Sequence, residues 1–294
     1  MSQAETALSQ PAVRVRSQRQ RMWRTFLQNR LTIVGLILII LIIFTAVFAP
    51  VLAPYDPTEQ DTRNRLAPPS REHPMGLDSF GRDILSRIIY GARVSLLTGI
   101  TSVLIGGTLG VLMGLVAGYV GGGVENFLMR AVDVLMACPS LIMALMVLAV
   151  LGAGLGKMIL AIGIVLSPTF ARVGHSATLA IKENEYVEVA RSLGAGRLRI
   201  IRTHILPNIL GEIVVLASIW TATAIRVEAN LSFIGLGVSP PTPAWGSMIR
   251  EGTNHLLQAP WVSIFPGLAI LITVLAFNLV GDGLRDILDP KLQQ

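Results

Sequence analysis

Charge-free apolar stretches divide this chain, and they constrain its fold more than any other feature. Leu31 to Tyr55 carries no charged residue, and neither do Val94 to Val120, Val134 to Gly156 and Gly252 to Gly281. A helix rises about 1.5 Å per residue, so about 20 apolar residues cross a hydrocarbon core of about 30 Å. Each of the four runs is long enough. Two further segments are less clean: Met158 to Ala171 is short and contains Pro168, while Ile209 to Phe233 carries Glu212, Arg226 and Glu228. The short one is expected to borrow its ends near Lys157 and Arg172, whose long stems let the charged heads reach an interface. The fold class expected is therefore an all-α integral membrane protein with six transmembrane helices. Composition agrees, because only 14% of the 294 residues are charged and 52% are apolar, whereas a soluble domain carries about 25% charged residues. The first run exceeds a signal-peptide h-region and has no A-x-A site after it, so it reads as a retained anchor.

The charge balance is +6, and all but Lys157, Lys182 and Lys291 of the 24 basic residues are arginine. In a membrane protein this excess bears on topology, not on nucleic acid. Arg14, Arg16, Arg19, Arg21, Arg24 and Arg30 precede the first span, which predicts a cytoplasmic N-terminus and, with six spans, a cytoplasmic C-terminus. The basic group from Arg172 to Arg202 then falls on the same side. The expected organisation is a tail (1–30), a first span (31–53), an external loop with an amphipathic helix (54–93), a core membrane domain (94–282) and a cytoplasmic tail (283–294). Pro54, Pro57, Pro68, Pro69 and Pro74 exclude a regular helix early in that loop. From Asp78 onward, Ile84, Leu85, Ile88 and Ile89 recur at helical spacing while Arg82, Arg87 and Arg93 are expected to point elsewhere, as on a helix lying on the outer surface.

The second span repeats small residues every fourth position: Gly106, Gly110, Gly114 and Gly118. Lipid gives apolar side chains no reason to associate, so such a row predicts close approach of another helix backbone. No nucleotide loop is visible, since Gly152, Gly154, Gly156 and Lys157 have the wrong spacing and are followed by Met158. The four histidines are scattered without H-E-x-x-H, and no G-x-S-x-G occurs, so hydrolytic chemistry lacks its usual markers. A single cysteine, Cys138, excludes an intrachain disulfide and a thiolate metal site of several ligands.

Between the fourth and fifth spans lies a charged amphipathic hairpin, residues 185–207. Tyr186, Val189, Ala190 and Leu193 share one helical face, Glu185 and Glu188 lie in the first turn where the helix dipole favours anions, and Gly194 supplies the positive-φ turn that ends the helix. A second basic helix is expected from Arg197 to His204, stopping before Pro207. Such a face reads either as a helix lying on the membrane surface or as a dock for a cytosolic partner. Within the spans, Arg130 and Asp133 are three residues apart and are expected to form an ionic join. Arg226 and Glu228 are two apart, about 200° around a helix, and need separate partners. They read either as charges snorkelling at the outer interface, where the helix ends before Leu231, or as functional groups, Glu228 in a substrate pathway or outer gate and Arg226 at a subunit interface.

The stretch Glu188-x-Ala190-x3-Gly194 followed by Leu206-Pro207 resembles the EAA loop of binding-protein-dependent ABC importer permeases, with Val189 in place of an alanine and His204 in place of an isoleucine. Met75-Gly-Leu-Asp-Ser-Phe-Gly-Arg-Asp83, Leu231-Ser-Phe-Ile-Gly-Leu-Gly237 and Gly281-Asp-Gly-Leu-Arg-Asp286 look like segments of the C-type permease of dipeptide, oligopeptide and nickel importers, in the right order. The resemblance implies a type I importer bundle in a bacterial cytoplasmic membrane. It also implies a paired B-type permease, two cytosolic ATPases docked on residues such as Glu185, Leu206 and Pro207, and a periplasmic or lipid-anchored solute-binding protein. ATP and magnesium would then reside in the partner ATPases, with no cofactor in this chain, and the cargo would be a peptide or similar solute. The rival reading is a stand-alone ion-coupled transporter using Asp133, Arg226 and Glu228.

Overall fold

A computed structural model describes residues 29–288, and every regular element among them is helical. The expected N-terminal arginine cluster up to Arg24, and Lys291, lie outside the described residues. The order is α1 (Arg30–Val47), α2 (Ala49–Leu52), α3 (Ile84–Val120), α4 (Gly122–Met136), α5 (Ser140–Leu151), α6 (Leu155–Lys182), α7 (Glu185–Ser192), α8 (Arg197–Ile200), α9 (Leu206–Ile234), α10 (Trp245–Thr253) and α11 (Trp261–Leu288). Asn29 caps α1 by accepting from the Leu31 and Thr32 amides, and Asp83 caps α3 by accepting from the Ser86 amide at 2.8 Å.

Among the described residues five helices are long and apolar enough to cross a membrane, and the pair α4 and α5, bent by 97°, makes six if it counts as one crossing. Topology requires that count. Gly106, Gly110, Gly114 and Gly118 meet Gly163, Ser167, Ala171 and Thr178 in the same order, so α3 and α6 run parallel and the chain between them must return across the layer. The charge-free run Val134–Gly156 is thus not one straight span. Pro139 has no amide hydrogen and disfavours helical geometry at the residue before it, so α4 ends at Met136 and α5 restarts in a new direction.

Two other elements outgrow their apolar runs. α6 extends to Lys182 because each basic residue of its second half finds a partner: Arg172 bonds Asp133 at 2.6 Å, His175 bonds Glu125 at 2.7 Å, and Lys182 donates to the Gly118 carbonyl at 3.2 Å. Pro168 inside it leaves the Ile164 carbonyl without an amide donor, and the Ser167 hydroxyl supplies one at 2.9 Å. α3 begins at Ile84 and runs unbroken through 37 residues, so the expected surface helix is the first turns of a span. Arg93 folds back from it to donate to the Ala46 and Val47 carbonyls, satisfying the end of α1.

Buried side chains form two clusters. The larger packs α3, α5, α6 and α9 around Ile162, Leu166 and Phe170, and takes in Val187 and Ile200 of the hairpin. The smaller joins α1, α3, α10 and α11 around Ile84, Trp245 and Val262. Large apolar side chains such as Ile37, Leu41, Leu104, Leu112 and Leu271 stand exposed around the outside, which suits a lipid environment and would be untenable in water.

Candidate functional site

The hairpin grows from local rules. α7 starts after Asn184, carries Glu185 and Glu188 in its first turn, and ends with Leu193 as its C-cap and Gly194 at φ +82°. Val187 points inward and is fully buried, while Tyr186, Val189 and Leu193 point out at 46%, 56% and 84% exposure. Glu185 and Glu188 are exposed and Ala190 is half-buried. Tyr186 leans on His204, with ring centroids 6.0 Å apart. The apolar face read from the sequence therefore faces away from the bundle, and α7 is pinned by the opposite side.

The second helix of the hairpin does not stop before Pro207. α8 passes through a π-helical stretch, Ile201–Ile205, directly into α9, with half-buried Leu206 and exposed Pro207 in the first turn. A proline would clash with the carbonyl four residues back in a tight α-turn, and the wider π geometry accommodates it. The second helix of the hairpin is thereby continuous with α9 as one rod, Arg197 to Ile234.

At the other end of that rod, Glu228 is fully buried and accepts from Ser95 Oγ of α3 at 2.9 Å and from Ser232 Oγ at 2.7 Å. It faces a neighbouring helix of its own subunit and not an open channel. Arg226 is exposed on the opposite side of α9 and makes no hydrogen bond or ion pair among the described residues. The expected Arg130–Asp133 join is absent: Asp133 pairs with Arg172 of α6, both more than half exposed, and Arg130 is exposed. The longer reach to another helix wins because α4 lies against α6 there.

The glycine row faces α6. A Cβ added at Gly106, Gly110, Gly114 or Gly118 would fall within 3 Å of Gly163 O, Ser167 O, Ala171 O or Thr178 Cβ, respectively.

Sequence reasoning missed an ionic knot beneath the loop 54–83. Arg82 bonds Asp78 at 2.7 Å and Glu251 of α10 at 2.5 Å, and Arg87 lies 3.4 Å from Asp78 and 3.7 Å from Glu251. Both arginines are almost fully buried, not solvated as their helical phase suggested. His73 bonds the Asp83 cap at 2.9 Å. Four charges of alternating sign close on one another, which offsets most of their burial cost, although Arg87 Nε has no hydrogen-bond partner among the described residues. Nearby, Asp56 and Asp61 are held below the ordinary carboxylate range by the Thr58 hydroxyl and the Asn64 side-chain amide, but both are exposed and the effect is local. Among the described residues no group of three or more His, Cys, Asp or Glu side chains is arranged to hold a metal ion.

Residues 110–294 match the family described as "binding-protein-dependent transport system inner membrane component". The chain belongs to this family. Residues 17–69 of the permease also match the N-terminal transmembrane domain of oligopeptide transport permease C. It is 44% identical over 287 residues to the glutathione transport system permease protein GsiD of Pectobacterium atrosepticum, covering 96% of this chain and 95% of the relative. It is 43% identical over 291 residues to the di/tripeptide transport system permease protein DppC of Pseudomonas aeruginosa, covering 97% and 96%. In fold, the permease is similar to an inward-facing form of the MetNI methionine ABC transporter, with TM-score 0.57 and 20% identity over 69% of this chain and 97% of that one. It is thus a C-type permease with the type I importer fold, a multi-pass inner-membrane transport subunit.

Proposed function

We propose that this permease pairs with a B-type permease and imports a small peptide, of the size of a dipeptide, a tripeptide or glutathione, using ATP and magnesium bound in two cytosolic ATPases. The observation that carries the coupling role is the outward apolar face of α7, Tyr186, Val189 and Leu193, standing free while Val187 anchors the helix. Such a face in water needs a cover, and an ATPase groove is the cover an importer supplies. Glu185, Glu188 and Ala190 border it, Gly194 sets its exit, and Leu206 and Pro207 join it to the α9 rod. The substrate class rests on identity to the glutathione and di/tripeptide permeases over nearly their whole lengths. The chain lies N-in and C-in, with the hairpin in the cytoplasm and the loop 54–83 and α10 outside, facing a solute-binding protein.

Co-expression with candidate partners, purification and reconstitution test this. ATP-dependent uptake of labelled dipeptide or glutathione in proteoliposomes, requiring the binding protein, is expected. Uptake by the lone chain driven by a proton gradient would establish the ion-coupled alternative instead. For topology, an Arg65→Cys substitution in a Cys138→Ser background should react with an impermeant maleimide only from outside, and labelling only from the cytoplasm would refute the orientation.

A further inference from the structure

At the α10 end of the bundle a half-open cavity of about 490 Å³ lies between the loop 54–83, the α9–α10 connection and α10. Its volume is in the range of small-molecule sites. Its floor reaches Ser232, the hydroxyl that holds Glu228. Phe80 and the Pro240–Pro241 pair give it apolar walls, and Gln60, Ser239 and Asn254 bring side-chain polar groups with no hydrogen bond among the described residues.

Arg82, Arg87, Asp78 and Glu251 neutralise one another within the knot, two cations against two anions. Arg250 remains. It lines the same cavity, is exposed, and makes no side-chain hydrogen bond or ion pair among the described residues. Its guanidinium rests against Gly235, which ends α9 at φ +97°, and a Cβ there would overlap the guanidinium. The glycine thus leaves the arginine room to lie over the end of the helix with its fork free. A planar fork of donors matches a carboxylate, in bidentate fashion.

We propose that this cavity is an outer binding site for a small carboxylate solute, with Arg250 holding the carboxylate and the polar groups of Ser239 and Asn254 meeting amide groups of the same molecule. This rests on the peptide-import reading for the identity of the solute and names where that solute first meets this subunit.

The test uses the complete importer in proteoliposomes, carrying Cys138→Ser and Gln60→Cys in this chain, with glycylglycine and its C-terminal amide as external probes and an impermeant maleimide as the alkylating reagent. Glycylglycine should slow alkylation at position 60 saturably, by about tenfold at about nine times the half-saturating concentration. The amide should not protect, Arg250→Gln should abolish protection and Arg250→Lys should restore part of it. Equal protection by the amide, protection that survives Arg250→Gln, or no protection by glycylglycine would overturn the site. Peptide uptake measured on the same preparation separates the two readings: uptake without protection overturns the cavity alone, whereas carboxylate-dependent protection without peptide uptake keeps the cavity and overturns the peptide-import function.

Discussion

Ser95 Oγ donates to Glu228 Oε2 at 2.9 Å and so ties α3 to α9 through the buried interior of the subunit. With Ser232 on the other oxygen, the carboxyl is held by two hydroxyls and no cation. Removing it strands both hydroxyls, at about 1–3 kcal/mol per unsatisfied group. Glu228→Ala should therefore lower the melting temperature of the purified complex, while Glu228→Gln, which retains hydrogen-bonding groups at the same place, should stay close to wild type and transport. A Glu228→Gln complex that assembles normally but does not transport would return Glu228 to the pathway and refute a purely joining role.

Gly110 and Gly107 sit one turn apart on α3 and give a matched pair. A Cβ at Gly110 would enter the Ser167 backbone, whereas one at Gly107 would meet the Phe170 ring at 3.5 Å, an ordinary contact. Gly107→Ala should leave expression and the monodisperse chromatographic peak intact. Gly110→Val should force α3 from α6 and lose the folded peak, since backbone cannot yield as a side chain can. Equal tolerance of both substitutions would show that the helices do not approach this closely.

The ionic knot predicts a third pattern. Arg82→Met leaves Asp78 and Glu251 with only the longer contacts to Arg87 as charge partners, Asp78 keeping its bonds from the Phe80 and residue-82 backbone amides, and breaking a buried pair by removing one partner costs about 3–5 kcal/mol. Melting temperature should fall sharply for Arg82→Met, and the Asp78→Asn/Arg82→Met double variant should lose less than the two singles added together. Strict additivity, read from the same thermal measurements, would mean that the two residues do not share a network.

What was legible in the sequence was local. The apolar runs, the glycine row and the positive φ of Gly194 all follow from rules acting within one helix or one turn. What was not legible needed a partner far along the chain. Met158–Ala171 looked too short because Asp133 and Glu125, which let Arg172 and His175 extend α6, belong to α4. Arg82 and Arg87 looked solvated because Glu251 is more than 160 positions away. The break at Pro139 is different: the residue was in plain view, but a hydropathy run registers apolarity and not the missing amide. For the candidate dock, periodicity selected the right face of α7, yet only the burial of Val187 says which side is anchored.

That division of α7 into two sides gives the sharpest prediction for function. Val187 is fully buried, and Leu193 is 84% exposed, so the same chemical change at each should have opposite consequences. Leu193→Asp places a charge in water, where the free subunit loses almost nothing, but it places that charge inside the ATPase contact if α7 is the dock. Val187→Asp places an unpaired carboxylate in the core cluster, where desolvation destabilises the fold itself. Leu193→Asp should yield a well-folded permease that no longer co-purifies with its ATPase and shows no ATP-dependent uptake; Val187→Asp should fail to accumulate. Gly194→Val is intermediate: nothing lies within 4 Å to clash, but the φ of +82° strains a β-branched residue, so the helix exit should shift and coupling should weaken with the bundle still folded. The readouts are ATPase recovery on affinity purification and uptake per folded complex. A Leu193→Asp permease that retains its ATPase and transports at the wild-type rate would remove α7 from the coupling path, whatever the fate of the other two variants.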